Sequence, residues 1–194
     1  MRVVTDDEID YGEWGMRFFE AAVTEERVLA GVNAMAGQQI DVGPFGVGPG
    51  RVAKVTATGE IGTATGQRTS TNPVHFDVRL PVTLEFKLDL GVDVHRFNAE
   101  VEVPLRMTAR ARGDLAIVID IDPPATEDVV VALKAKGLRA TLTQYAANVD
   151  GELRRFIAKY VSRELEKPKI AAARVIDIRA AIDRGARSVV PNGN

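Results

Sequence analysis

The chain of 194 residues contains no cysteine. That excludes disulfides, thiolate metal sites and cysteine nucleophiles. Histidine is confined to His75 and His95, and serine to Ser70, Ser162 and Ser188. None of these serines stands in a Gly-x-Ser-x-Gly elbow. Aromatics make up 6% of the residues. They do not alternate with basic residues as a single-strand nucleic-acid platform would require, so no nucleic-acid partner is expected. No apolar run reaches the roughly 18 residues of a membrane-spanning helix. The first residues, Met1 to Glu8, turn acidic at once and lead into no apolar stretch, unlike a secretory signal. The address these features predict is cytoplasmic, with room for peripheral contact with a membrane.

What is present is an ordinary globular balance, 45% hydrophobic and 27% charged, of a length that suits one domain over residues 1–194. The net charge of -2 conceals an asymmetry. Residues 1–60 carry 5 Lys/Arg against 10 Asp/Glu, a balance of -5. Residues 134–187 carry 13 against 6, a balance of +7. A basic C-terminal third can meet anionic lipid headgroups or nucleic acid, or simply be a solvated helix face.

Residues 1–37 read as helical. Thr5-Asp6-Asp7-Glu8 fits a capping box. Phe18, Phe19, Ala22, Val23, Val28, Leu29, Val32 and Met35 recur at helical spacing. Thr24, followed by Glu25 and Glu26, predicts a second start, and Gly37 a stop. The stretch Gly43-Pro44-Phe45-Gly46-Val47-Gly48-Pro49-Gly50 is turn chemistry, expected to stay outside helix and paired strand. It lacks the Gly-Lys-Ser/Thr ending of a phosphate-binding loop, and strand-like Arg51 to Thr56 follows it.

An antiparallel sheet is expected over residues 51–137. From Val74 to Val94 every even position is apolar, including Val78, Leu80, Val82, Leu84, Phe86 and Leu88. The odd positions are polar apart from Pro81 and Gly91. Extended, this run would span roughly 70 Å at about 3.3 Å per residue. A domain of this length has a radius of gyration of only about 16 Å. The run must therefore bend or turn, with Pro81 and Gly91 as candidate kinks, or Gly91-Val92-Asp93 as a hairpin turn. Alternation then resumes on odd positions: Phe97, Ala99, Val101, Val103, Leu105, Met107, Ala109 and Ala111. The change of parity near His95-Arg96 calls for a bulge or tight turn. Leu115, Ile117, Ile119 and Ile121 suggest a further strand, and Val129 to Ala135 another.

A long helix is expected over residues 145–167. Val149, Leu153, Phe156, Ile157, Tyr160, Val161 and Leu165 form its apolar stripe. Arg154, Arg155, Lys159 and Arg163 lie on the other face and are the candidates for headgroup contact. Pro168 ends or kinks the helix. Residues 170–183 fit either helix or short strand, and residues 186–194 read as a frayed tail.

Catalytic and metal constellations are missing from this pattern. His75 and His95 fall on the polar strand face, where a metal pair would need them to converge with a carboxylate. Asp120 and Asp122 share a strand face, with nothing nearby to separate their pKa values. Arg106, Arg110 and Arg112 form a basic row of the kind any exposed sheet face carries. No catalytic residue, metal or cofactor is expected.

Long period-2 strands over Val74 to Ala111, with an amphipathic helix over Val149 to Leu165, resemble the tubular lipid-binding superfamily. Its members include the bactericidal/permeability-increasing and synaptotagmin-like lipid-binding domains. The resemblance implies an α+β fold: a long, twisted antiparallel sheet wrapping a C-terminal helix around an apolar groove. It also implies non-catalytic binding or transport of a lipid or other apolar ligand. The helix-grip fold of the START and polyketide-cyclase type, and a partner-binding domain with a filled core, suit the same pattern. On the first reading, Val78, Leu80, Val82, Leu84, Phe86, Leu88, Val101, Val103, Leu105, Met107, Phe156 and Tyr160 line one apolar space. Leu84→Asp is then expected to unfold the protein or abolish ligand uptake. Circular dichroism and ligand extraction check it, and wild-type values for both would refute the shared apolar space.

Overall fold

The even-numbered apolar positions from Val74 and the odd-numbered ones from Phe97 become two long antiparallel strands. They are β4 (Val74–Asp89) and β5 (Val94–Arg112), paired along their length from Val74↔Ala109 to Asp89↔Val94. The structure is a computed structural model that describes residues 8–134 and 140–189. In this register an even residue of β4 always faces an odd residue of β5. The parity change is therefore the geometry of the turn itself. Leu90 N donates to Asp93 O at 2.9 Å, leaving Gly91 and Val92 as a two-residue loop. Gly91 has φ +85, the left-handed region that the first position of such a tight turn demands. The parity change thus sits at Gly91-Val92, ahead of His95-Arg96. Val92 and Val94 leave the apolar face: Val92 is the exposed loop tip and Val94 is exposed.

The remaining strands flank this hairpin in halves. Strands β2 (Ala53–Ile61) and β3 (Thr65–Thr71) run end to end along β4. On the other side β6 (Ala116–Ile121) and β7 (Val130–Lys134) share β5. Strand β1 (Gln39–Val47) pairs with β2, and β8 (Val175–Asp177) with β6, closing an 8-stranded, strongly curled antiparallel sheet.

The two prolines of the hairpin sit opposite the breaks in these flanking strands. Gly62 N donates to Pro81 O at 2.8 Å, so the backbone polar groups of Pro81 face the gap between β2 and β3. Asp122 N donates to Arg106 O at 2.9 Å. By the alternation of a strand, Pro104 faces the same side, in the gap between β7 and β6. A proline has no N–H to give a ladder. Here neither is asked for one, and the strand runs on through Pro81 and Pro104.

The helices cover the concave face. After α1 (Tyr11–Ala22) and α2 (Glu25–Asn33) come α3 (Ala140–Glu166), α4 (Pro168–Ala173) and α5 (Ile178–Val189). Helix α3, about 40 Å long at 1.5 Å per residue, touches β1 on one side of the curl and β7 on the other. Its stripe residues Val149, Leu153, Ile157, Val161 and Leu165 are buried in one core with the inner faces of β1, β2, β4, β5 and β6. The fold is therefore α+β, a curled antiparallel sheet around a C-terminal helix, with helices at the N-terminus as well.

Several expectations change. The Gly/Pro stretch is not a loop throughout: Gly43 to Val47 belong to β1, and only the following residues form a single 3-10 turn, Pro49–Arg51. An edge strand tolerates this because its register slips between Val42 and Phe45, a bulge that accommodates Gly43 (φ +89) and Pro44. The sheet accordingly begins at Gln39 rather than at residue 51, and it also takes in β8. Leu115 is an exposed turn residue with φ +62, not part of β6. Helix α5 runs to Val189, through the start of the expected tail. Thr5 lies outside the described residues. It is Asp10 that caps α1, accepting from Gly12 N and Glu13 N at 2.8 Å each. Thr24 does cap α2, accepting from Arg27 N at 3.3 Å. Ala135 and residues 190–194 also lie outside the described residues.

The curl brings neighbouring strands too close for a side chain at Gly59. A Cβ there would lie 2.2 Å from Thr83 O and 2.4 Å from Leu84 Cδ2. Gly59→Ala is expected to destabilise the protein by about 1–3 kcal/mol. The urea midpoint should fall with the denaturant slope unchanged.

Candidate functional site

Every even β4 residue from Val78 to Leu88, and every odd β5 residue from Val101 to Met107, faces the concave side, and none is more than 2% exposed. They are brought together, but α3 occupies the space they enclose: Leu153 and Ile157 are 0% exposed against them. Phe156 and Tyr160 pack on the flank of that core as partly buried residues, their rings 6.3 Å apart. Burial raises the Tyr160 pKa, and the negative charge of Glu164 raises it further.

An open apolar recess lies at one end of the sheet, beyond this filled core. Helix α2 supplies Arg27, Val28, Gly31 and Val32, with Met35 just past its end. The sheet supplies Met107, Ile119, Ile121 and Ile176. The last turn of α3 adds Leu165, and α4 with its C-cap adds Ile170, Ala173 and Arg174. The recess measures about 60 Å³. Of the candidate lining residues named from sequence, Met107 reaches it.

Polar contacts outside the recess hold its walls. Arg68 on β3 donates from Nη2 to Val23 O and, at 3.4 Å, to Glu20 O, and its guanidinium lies 5.5 Å from the Phe76 ring centre. Arg68 N donates to Glu25 Oε1 at 2.9 Å, and Ala64 N to Asn33 Oδ1 at 2.7 Å. Helix α2 is thus fixed at its start to β3 and at its end to Ala64, the residue before β3. On the opposite wall, Ile119 N donates to Arg174 O at 2.8 Å.

Two guanidiniums face the recess, and each is tethered to the end of a helix. Arg27 Nη1 donates to Ala21 O at 3.1 Å and Ala22 O at 2.9 Å, at the end of α1. Arg174 Nη2 donates to Leu165 O, in the last turn of α3. Arg174 Nε is buried and has no hydrogen-bond partner among the described residues. Sequence reasoning finds the apolar spacing of Val28, Val32 and Met35. It gives no sign that Arg27 and Arg174, far apart in the chain, meet at one recess.

The basic face of α3 is partly neutralised within the helix. Arg154 pairs with Asp150 at 2.8 Å and Arg155 with Glu152 at 2.7 Å. Lys159 and Arg163 stand exposed. The strand row is paired likewise: Arg106 with Asp77 at 3.9 Å, Arg110 with Asp120 at 2.8 Å and Arg112 with Asp114 at 2.8 Å. His75 bonds Thr108 Oγ1 at 3.0 Å and His95 pairs with Asp93 at 3.2 Å, at opposite ends of the hairpin. The described residues hold no cluster of three or more His, Asp or Glu that could bind a metal. Among them no helix is long and apolar enough to cross a membrane.

Tyr160 is expected to titrate above the ordinary tyrosine range, and Glu164→Gln to lower its midpoint, as read by ultraviolet difference absorbance. A raised folded pKa holds its stabilisation below the unfolded value. That stabilisation is lost as pH rises through the folded value. Comparison with protein-family models and with curated proteins returns no match for this chain.

Proposed function

We propose that the protein is a non-catalytic binder or carrier of a lipid or other apolar molecule. The ligand is taken up at the end of the curled sheet where α2, the last turn of α3 and α4 meet the sheet around the recess. The observation that carries this reading is the recess itself, ten of whose lining residues are Val, Ile, Leu or Met at the margin of the core. An apolar concavity with a few placed polar groups is the usual form of a small-molecule site. At about 60 Å³ it is smaller than the 150 Å³ cavity that admits benzene. A ligand therefore enters by one slender end, an aliphatic chain rather than a ring. The core between sheet and α3 contributes the rigid wall, and peripheral contact with an anionic membrane through Lys159 and Arg163 is compatible with delivery from a bilayer.

A second reading, a partner-binding domain, draws support from α1. It has no buried residue, and Tyr11, Trp14, Met16 and Phe18 are exposed along it. Trp14 and Phe18 stack at 5.3 Å.

Gly31 separates the two readings. It lies on the same face of α2 as Val28 and Val32, and a Cβ there meets nothing within 4 Å. Gly31→Leu should fill the recess without a clash. It should also raise helix stability, since an interior glycine costs about 0.8–1.0 kcal/mol against alanine. Native mass spectrometry with solvent extraction is expected to find an apolar ligand on the wild type and none on the variant, with the melting temperature kept or raised. An apo wild type that fails to take up added aliphatic ligands would favour the partner-binding reading.

A further inference from the structure

Resting on the recess as a ligand site, the geometry points to a specific ligand class: an aliphatic carboxylate, with its head on Arg174 and its chain against Val28, Val32, Met107 and Ile119. Two guanidiniums line the recess, and no Asp or Glu does. Several arginines elsewhere on this protein pair with carboxylates, as in Arg106–Asp77, Arg110–Asp120 and Arg154–Asp150. Those at the recess do not. Among the described residues their guanidinium partners are carbonyl oxygens at helix ends, which fix the side chains but leave the charge unmatched.

Arg174 carries the argument. Its backbone is fixed on both sides, its N–H bonded to Ile170 O at 3.2 Å and its carbonyl to Ile119 N. One arm of its guanidinium caps α3 through Leu165 O. Its Nε–H is buried without an acceptor among the described residues. Buried donors left unsatisfied are rare in folded proteins, and each calls for an explanation. A guanidinium presents its N–H groups in one plane, matched to the oxygens of an anion. Capping α3 accounts for Nη2 and does not account for Nε. A carboxylate at the rim answers both the unmatched charge and the orphaned donor. The aliphatic walls beside it answer the chain behind that head. Arg27, across the recess on α2, adds a second positive charge to the same rim.

Titration calorimetry on the full chain with octanoate, octanol and octyl phosphate tests this in the wild type, Arg174→Gln and Arg27→Gln. Octanoate is expected to bind the wild type about tenfold or more tightly than octanol. Arg174→Gln should remove that preference, bringing octanoate binding down to that of octanol, with circular dichroism showing that the variant is folded. Arg27→Gln should weaken octanoate by a smaller factor. Equal binding of octanoate and octanol to the wild type would overturn the carboxylate site while leaving the apolar recess standing. Octyl phosphate binding in clear preference to octanoate would overturn the choice of head group. If none of the three binds the wild type, the recess reading falls together with the carboxylate.

Discussion

A strand pair as long as β4 and β5, apolar along one face and polar along the other, cannot exist uncovered in water. Everything else in the molecule answers that constraint. The sheet curls so that its apolar faces converge, and α3 lies in the trough with a stripe that matches the curl. Burying a side chain such as Leu84 or Leu105 is worth roughly 1.5–3 kcal/mol, so the hairpin and α3 together dominate the favourable side of folding. The polar face needs only to be solvated, and its charges pair across the strands where they happen to meet.

Curling a sheet this tightly requires interruptions, and these are placed with some economy. The flanking strands break where Pro81 and Pro104 offer no donor. Glycine stands at Gly59 and Gly66, where a Cβ would collide with β4. The same breaks set the ends of the half-length strands. The end framed by β3, β6 and β8 is roofed by α2, α4 and the last turn of α3, and the recess lies there, at the margin of the packed interior. A packed core and a small recess at its end are thus two outcomes of one curvature.

Much of this was legible in the residues. Strict alternation from Val74 and again from Phe97 predicted both long strands and their apolar faces, because a period of two survives only where one face is buried. The heptad-like stripe from Val149 to Leu165 predicted the helix that covers them. Strand β1 was hidden, because Gly43, Pro44 and Gly46 oppose strand formation locally. Only pairing with β2 and a bulge make them a strand. The parity change is a property of a two-residue turn, and the sequence offered a bulge as an equal alternative. The recess was hidden for a different reason. Apolar alternation looks the same in a packed core and in a ligand wall, and the meeting of Arg27 with Arg174 depends on α2 and α4 folding onto the same end of the sheet.

The margins of the sheet have a bearing on how the protein behaves among its own copies. A curled sheet that does not close into a barrel has two free edges, and a free edge can recruit a strand from another molecule. Here one margin is shared by β1, whose middle is the Gly43-Pro44 bulge, and β3, where Glu25 of α2 accepts from Arg68 N; the other is shared by β8, three residues long, and β7, five residues long. Each of these runs is short or interrupted, so neither margin offers a long straight run of unpaired backbone. The same Gly/Pro stretch that conceals β1 in the sequence thereby limits the growth of the sheet from one molecule into the next.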